Sequence, residues 1–338
     1  MRFFDDNGLF ISNGCTIAVD SSKPAQAGLA IITHAHSDHL PSSKNYGGKI
    51  LASKETVELL NGRLGKNPCG KKEFVGKKYS EKFKFEDFEI RLKSSCHILG
   101  SAQVVLESEK KVVVTSDFQL QDSLMLPKAE VQKADVLVIE STFGIPQYAF
   151  PERHRVYEEI GKWVSNNARD GKFTVLAGYS LGKAQELTKI VNEFSDEIPV
   201  VHEKVFEFNK TYEKLGVKIG EFEKLNNNLK DFNVAILPPT LVCKDFLQAL
   251  SISTGKKVSA GVATGWEFYS NAFNKVFALS DHADFQQLVH YVQESEAKRV
   301  LTTHGFVREF ARHLKRKLGI NAMPLSSKGQ KSIQDFLD

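Results

Sequence analysis

The chain changes periodicity near its middle. Up to about residue 145, short apolar runs alternate with turns. Residues 28–33 form an apolar, β-branched run behind a glycine and predict a buried strand; residues 88–93 alternate apolar with polar, as a strand with one buried face does; residues 111–115 are an unbroken apolar run. From about residue 146 the texture turns to helix, strand, helix. Residues 152–167 have helical spacing, 172–177 read as a buried parallel strand, 181–194 are helical again, and 198–201 and 233–237 predict further strands, the last ending at Pro238-Pro239. Such β-α-β alternation predicts a small parallel sheet with covering helices. Residues 283–293 then predict a helix and 299–303 a strand, while Pro24 to Gly28 and Asn226-Asn227-Asn228 read as loops.

Chemistry-bearing side chains gather where the strands end. Directly after the strand at 28–33 stands His34-Ala35-His36-Ser37-Asp38-His39, three imidazoles and one carboxylate in six positions. A lone histidine would read as an ordinary hydrogen-bonded residue. This density points to metal, because histidine is the commonest metal ligand and imidazole with carboxylate suits zinc. His34 and His36, two apart on turning backbone, point the same way, whereas Asp38 and His39 lie far enough along to serve a second ion. Further donors are expected at other strand ends. His97 lies in Ser95-Cys96-His97-Ile98-Leu99-Gly100-Ser101; Asp117 follows the run at 111–115; His304 stands between the strand at 299–303 and Gly305. Each fits a capped or hydrogen-bonded polar residue when taken singly, and Asp117 also has two oxygens able to bridge two cations. Their recurrence at strand ends is the signal.

The order of Asp20, the hexapeptide, His97 and Asp117 resembles the four successive motifs of the metallo-β-lactamase fold, and the chain beyond Asp117 resembles its β-CASP nuclease branch. Three further motifs of that branch are matched by Glu140 in Ile139-Glu140-Ser141-Thr142-Phe143-Gly144, His282 in Leu279-Ser280-Asp281-His282-Ala283-Asp284, and His304 in Thr303-His304-Gly305. The run Ser180-Leu181-Gly182-Lys183-Ala184-Gln185-Glu186-Leu187 resembles a segment of the branch's inserted domain, so the resemblance covers nearly the whole chain. It implies an α/β fold, a metallo-β-lactamase αββα sandwich with a smaller inserted α/β β-CASP domain: residues 1–145 and 276–338 form the first domain and 146–275 the insertion. It implies two zinc ions, with manganese able to substitute in vitro. His34, His36, His97 and Asp117 would hold one ion, and Asp38, His39, Asp117 and His304 the other. Asp20 would support the ligand loop from behind, where such partners set imidazole orientation; capping its own strand is an equal reading.

A phosphodiester anion repels hydroxide, so hydrolysis at neutral pH needs a nucleophile made in place and charge neutralised on the phosphoryl oxygens. Two cations about 3.5–4 Å apart do both by activating a bridging hydroxide. Asp38 is then a metal ligand that also orients the water or takes its proton. His282, outside the ligand tally, is expected to protonate the departing sugar oxygen or grip the scissile phosphate, with Glu140 holding its imidazole. A strand-end salt bridge for Glu140 and a helix-start position for His282 are the plain alternatives.

The substrate expected is single-stranded nucleic acid. The length and the stretches at 140–148, 180–187 and 279–284 resemble compact DNA-ligase-associated exonucleases, and the final motif histidine resembles messenger-RNA 3′-end processing factors. DNA in a repair setting is favoured, an RNA-processing exo- or endonuclease is the alternative, and the resemblance suggests a DNA ligase or helicase partner. The amino-terminal RNA-binding extension of long archaeal cleavage factors is not expected. A thioester or lactone hydrolase with the same ions, or a non-catalytic scaffold, are the readings from other classes; the Glu140 and His282 pair argues against the first and the full ligand set against the second.

A net charge of +4 over 338 residues announces nucleic acid weakly. Local clusters say more. Lys66, Lys71, Lys72, Lys77, Lys78 and Lys82 interleave with Phe74 and Tyr79, and Arg308, Arg312, His313, Lys315, Arg316 and Lys317 follow His304. Either cluster can track a backbone or be a solvated face; Arg312 and Arg316 are the candidate contacts. The loop Gly178-Tyr179-Ser180-Leu181-Gly182 opens a helix and, with Ser180, Gly182 and Lys183, reads as a phosphate grip or an ordinary turn. No Walker-type run accompanies it, so nucleotide hydrolysis is not expected. The four cysteines are scattered, the start of the chain is acidic where a signal peptide is basic, and no apolar run approaches about 20 residues. These features predict a cytoplasmic protein without a membrane span.

Overall fold

β-Branched runs become strands and the polar residues between them become turns. The structure, a computed structural model, describes residues 1–42, 46, 48–64, 73–226, 229–267 and 271–326. Lys66, Lys71, Lys72, Cys69, Asn227 and Asn228 lie outside these residues. Strands β1 (Arg2–Asp5), β2 (Leu9–Asn13), β3 (Cys15–Val19), β4 (Leu29–Ile31) and β5 (Lys49–Ser53), helix α1 (Lys54–Leu64) and strand β6 (Glu73–Lys77) come first. Strands β1 to β6 lie side by side in chain order, antiparallel from β1 to β3 and parallel from β3 to β6. Then come β7 (Phe83–Phe85), β8 (Phe88–Ser94), β9 (Ala102–Glu107), β10 (Lys111–Val114) and β11 (Val136–Ser141).

The chain continues through α2 (Arg153–Arg169), β12 (Lys172–Ala177), α3 (Lys183–Phe194), β13 (Val200–Val201), α4 (Glu203–Lys214), β14 (Glu223–Lys224), β15 (Val234–Leu237), α5 (Lys244–Thr254), β16 (Lys257–Thr264) and β17 (Lys275–Ala278). It ends with α6 (Phe285–Ser295), β18 (Arg299–Gly305), α7 (Val307–Leu318) and β19 (Ala322–Pro324). The returning β18 inserts beside β11, giving a second sheet in the order β19-β18-β11-β10-β9-β8-β7. Period-2 alternation decides which faces meet. Ile17, Val19 and Ile31 of the first sheet share one core with Ile90, Leu92, Val104, Val112, Val138 and Leu301 of the second. Helix α1 packs on β5 and β6, and α6 and α7 pack on the second sheet.

Two compact units result. The first comprises Met1–Leu120, Lys128–Ala149 and His282–Asp338, the second Gln121–Pro127 and Phe150–Asp281. The sheet of the second unit runs β14-β13-β15-β12-β16-β17 with every pair parallel. Its inner strands β13, β15 and β12 are buried on both faces, as parallel strands under helices must be. Leu176 and Ile236 meet α2, α3 and α4 on one face, while Phe173, Val175 and Ala235 meet Leu250 of α5 on the other. Helix α3 opens at Lys183, two residues later than its spacing predicts, because Gly182 sits at φ +93°, outside helical backbone. Among the described residues no helix is long and apolar enough to cross a membrane.

Candidate metal centre

The strand ends of the first unit carry the donor side chains on unusual backbone. Asp20 after β3, Cys96 before His97, Ser116 before Asp117, and His304 in β18 all adopt φ between +50° and +58°. Each such non-glycine residue costs roughly 1–2 kcal/mol, so the surrounding contacts must enforce the conformation. For His304 the cause is visible. The pairing of β11 with β18 slips after Glu140↔Thr303, so that Ser141 pairs with Gly305 and His304 is the extra, bulged residue. Ser141 Oγ donates to the Thr303 and His304 carbonyls at 3.0 and 2.6 Å. Gly305 is required next to it, since a Cβ there would lie 2.4 Å from Thr142 Cα.

Four of the expected side chains converge. His36 Nδ1 lies 3.1 Å from His34 Nε2 and 3.1 Å from His97 Nε2, and Asp117 Oδ2 lies 3.6 Å from each of those two Nε2 atoms. A tetrahedral site with metal–nitrogen bonds of about 2.0–2.1 Å has edges near ~3.3 Å, so these spacings suit such an ion without rearrangement. Electrostatics agree. Burial, followed by His39, His97 and His36, holds His34 well below the usual histidine range, leaving the neutral imidazole that a cation needs. Burial would push Asp117 up, but His39, His282 and His97 outweigh it and hold the carboxyl well below the usual range. A neutral His34 imidazole beside a buried, ionised Asp117 carboxylate fits a divalent cation.

A second donor set is less closed. His39 Nε2 lies 3.4 Å from Asp117 Oδ2 and 3.6 Å from Asp38 Oδ2, whose side chain is largely exposed. The His304 ring stacks on that of His39 with centroids 5.7 Å apart. Among the described residues, the groups of three or more donors within 4.8 Å are His34-His36-His97, Asp20-His34-His39 and His97-Asp117-His282, so neither Asp38 nor His304 belongs to one. Burial would depress His39, but Asp117 and Asp20 overcome this and hold it well above the ordinary range. Asp20 Oδ2 bonds His39 Nδ1 at 2.9 Å while Asp20 Oδ1 accepts from Thr33 N at 2.8 Å, so one carboxylate both grips a candidate ligand and holds the loop.

His282 approaches from the segment before α6. Its Nδ1 lies 2.9 Å from Glu140 Oε2, and Glu140, fully buried at the end of β11, also accepts from Phe118 N at 2.8 Å and from Thr142 Oγ1. Gln119 Nε2 donates to the His282 carbonyl at 2.9 Å. Sequence reasoning passed over Gln119, Thr33 and Ser116. The available signal was position: each is a polar residue flanking a candidate ligand or its neighbour at the end of an apolar run.

The candidate substrate contacts divide. Arg312 and Arg316 are exposed on α7, whereas Lys183 is buried in the second unit. The expected phosphate-gripping charge of Lys183 is instead balanced inside the protein, with Nζ 2.6 Å from Asp281 Oδ1 and 3.1 Å from Glu186 Oε2. Gly182 N likewise donates to Gln185 Oε1 at 2.7 Å, and Gln185 Nε2 donates to the Ser180 carbonyl at 3.1 Å, so this turn is tied to its own helix. Lys77 and Lys82 pair with Glu81 and Glu89, and Tyr79 packs against the core with its hydroxyl donating to the Ser101 carbonyl, which makes that part of the lysine cluster a solvated face.

Around Lys183 lies a buried charge network: Arg153 bonds Glu186, the Tyr157 hydroxyl and the Ser280 carbonyl. Burial would raise Glu186, but Arg153 and Lys183 hold it below the ordinary range. A depressed folded-state pKa stabilises above the unfolded glutamate value, about 4.3, and that stabilisation is lost as pH falls through the folded value. Glu186→Gln is therefore expected to cost about 3–5 kcal/mol at pH 7 and progressively less in acid, as urea unfolding at pH 7 and pH 4 will measure. An equal cost at both pH values would remove the charge network as its origin.

No family model matches the chain. It is 30% identical over 315 residues to a "Probable DNA ligase" of Opitutus terrae, covering 89% of this chain and 29% of that protein. It is 27% identical to an "RNase J-like protein" of Methanocaldococcus jannaschii (48% of this chain, 43% of that one) and 29% identical to "Transcription termination factor FttA" of Methanothermobacter thermautotrophicus (50% and 32%). The chain thus spans less than half the length of each of these relatives. With a histidine-rich loop at the strand ends of a two-sheet unit and similarity to these proteins, the chain resembles the β-CASP nucleases of the metallo-β-lactamase fold.

Proposed function

We propose that this protein is a metal-dependent nuclease that hydrolyses phosphodiester bonds of single-stranded nucleic acid. The observation that carries the reading is the convergence of His34, His36, His97 and Asp117 at donor spacings of 3.1–3.6 Å, with the buried Glu140–His282 pair beside them. In this reading the first unit is the αββα sandwich and the second the inserted β-CASP domain. His34, His36, His97 and Asp117 would hold one zinc ion and Asp38, His39, Asp117 and His304 a second. Bound there, the ions supply positive charge against the phosphoryl oxygens and lower the pKa of water. Asp38, the exposed carboxylate of the loop, orients the attacking water and takes its proton. Glu140 holds Nδ1 of His282, so the other ring nitrogen, Nε2, delivers the proton to the departing sugar oxygen.

DNA in a repair setting is the substrate proposed first; one relative, matched along 89% of this chain, is named a probable DNA ligase. A DNA ligase or helicase partner is proposed with it. RNA is the second reading, supported by the RNase J-like and termination-factor relatives, each matched over about half the chain. Cytoplasmic residence is proposed with this reading; among the described residues Cys15 and Cys243 carry no disulfide. A time course on end-labelled single-stranded DNA and RNA, with and without chelator, tests the proposal: chelator-sensitive shortening from one end supports an exonuclease, and an inert protein with both substrates refutes it.

The basic face of α7 is the proposed strand-binding surface. Removing both charges as Arg312→Ala with Arg316→Ala should weaken oligonucleotide binding and flatten the slope of log K against log salt by about 1.4, the value for two released single-strand counterions. An unchanged slope in a titration from low to high salt would leave α7 a solvated face.

A further inference from the structure

Behind the candidate ligands lies a hydroxyl pair that takes no part in the proposed chemistry. Thr33 Oγ1 is 2.6 Å from Asp20 Oδ2, 2.6 Å from Ser116 Oγ and 3.1 Å from His34 Nδ1; Ser116 Oγ is 3.2 Å from Asp20 Oδ2. Thr33 is fully buried and Ser116 nearly so, and Ser116 occupies left-handed backbone at φ +51°. Proton counting assigns the roles. A carboxylate only accepts, so the single proton of the Thr33 hydroxyl goes to Asp20. The Thr33 oxygen is then left with lone pairs alone, and His34 Nδ1 can bond it only as an N–H donor. The Ser116 proton points to the Thr33 oxygen and Asp20 Oδ2. His39 Nδ1, 2.9 Å from the same Asp20 oxygen, must also donate.

We propose that Thr33 and Ser116 are positioning residues through which Asp20 sets the tautomer and tilt of His34, a ring it bonds only through the Thr33 hydroxyl. One carboxylate thereby fixes the ring orientation of two imidazoles: His39 directly, His34 through the hydroxyl of Thr33. The relay explains why a polar β-branched residue ends the apolar run of β4 and why the residue before Asp117 is held in strained backbone. It rests on the reading of His34 and His39 as metal ligands.

Thr33→Val keeps the shape and removes the hydroxyl, Thr33→Ser restores it, and Ser116→Ala removes its neighbour. Zinc affinity of the metal-free protein, measured by competition with a chromophoric chelator, should fall about 10–100-fold in Thr33→Val, by less in Ser116→Ala, and stay near wild type in Thr33→Ser. Circular dichroism melting of the metal-free proteins separates folding from affinity, since a purely structural hydroxyl would move the melting temperature and leave zinc binding of the folded protein unchanged. Wild-type zinc affinity in Thr33→Val, or a Thr33→Ser protein as weak as Thr33→Val, overturns the relay while leaving the nuclease reading standing. A wild-type protein that takes up no zinc overturns both.

Discussion

Asp117→Ala is expected to lose most of its bound metal and to lower kcat/KM on a single-stranded oligonucleotide by roughly 1,000-fold or more, on the order of 4 kcal/mol in transition-state stabilisation. Asp117 is the anion on which the cluster is organised. Its Oδ2 lies 3.6 Å from His34 and His97 and 3.4 Å from His39, so alanine leaves imidazoles facing one another without the carboxylate that offsets a cation's loss of water. The fold should survive, because Asp117 stands beyond the end of β10 and the shared apolar core does not include it. Metal content by elemental analysis, circular dichroism and cleavage rate together check this. A folded variant that keeps wild-type metal and rate would remove Asp117 from the centre.

The second large effect is expected at the other side of the cluster. His282→Ala should depress kcat by about 100- to 10,000-fold, the range of a lost general acid, while metal content stays at the wild-type level. Glu140→Gln should cost less, about 10–100-fold, since the amide still fills the buried site but no longer anchors Nδ1 with a charge. His282 lies within 4.8 Å of donor atoms of His97 and Asp117, which makes metal content the deciding readout. If His282→Ala loses metal in proportion to activity, the residue is a ligand and the proton must come from elsewhere.

Much of this arrangement is legible one residue at a time. The run before His34 forms β4, the run before Asp117 forms β10, and the alternation before His97 forms β8, because apolar periodicity and β-branching act through local backbone preference and burial. The texture change after residue 145 likewise becomes an all-parallel sheet with helices on both faces. Other features escaped. The short excursion Gln121–Pro127 into the second unit carries no periodicity of its own. Lys183 reads as a solvent-facing cation beside a glycine-rich turn, yet its partner Asp281 is 98 positions away. Thr33 reads as the polar end of a strand, and its contact with Ser116 spans 83 positions.

Sequence alone determined which side chains stand at which strand ends, and so that imidazoles and carboxylates would crowd wherever those ends met. Only the tertiary structure decided that His34, His36, His97 and Asp117 meet at 3.1–3.6 Å, that His304 bulges outward, and that Lys183 is neutralised within its own unit. The physical reason is range. Strand identity follows from interactions among near neighbours in the chain, whereas a donor cluster, a bulge between β11 and β18 and a buried ion pair depend on which distant segments the two-sheet core brings together.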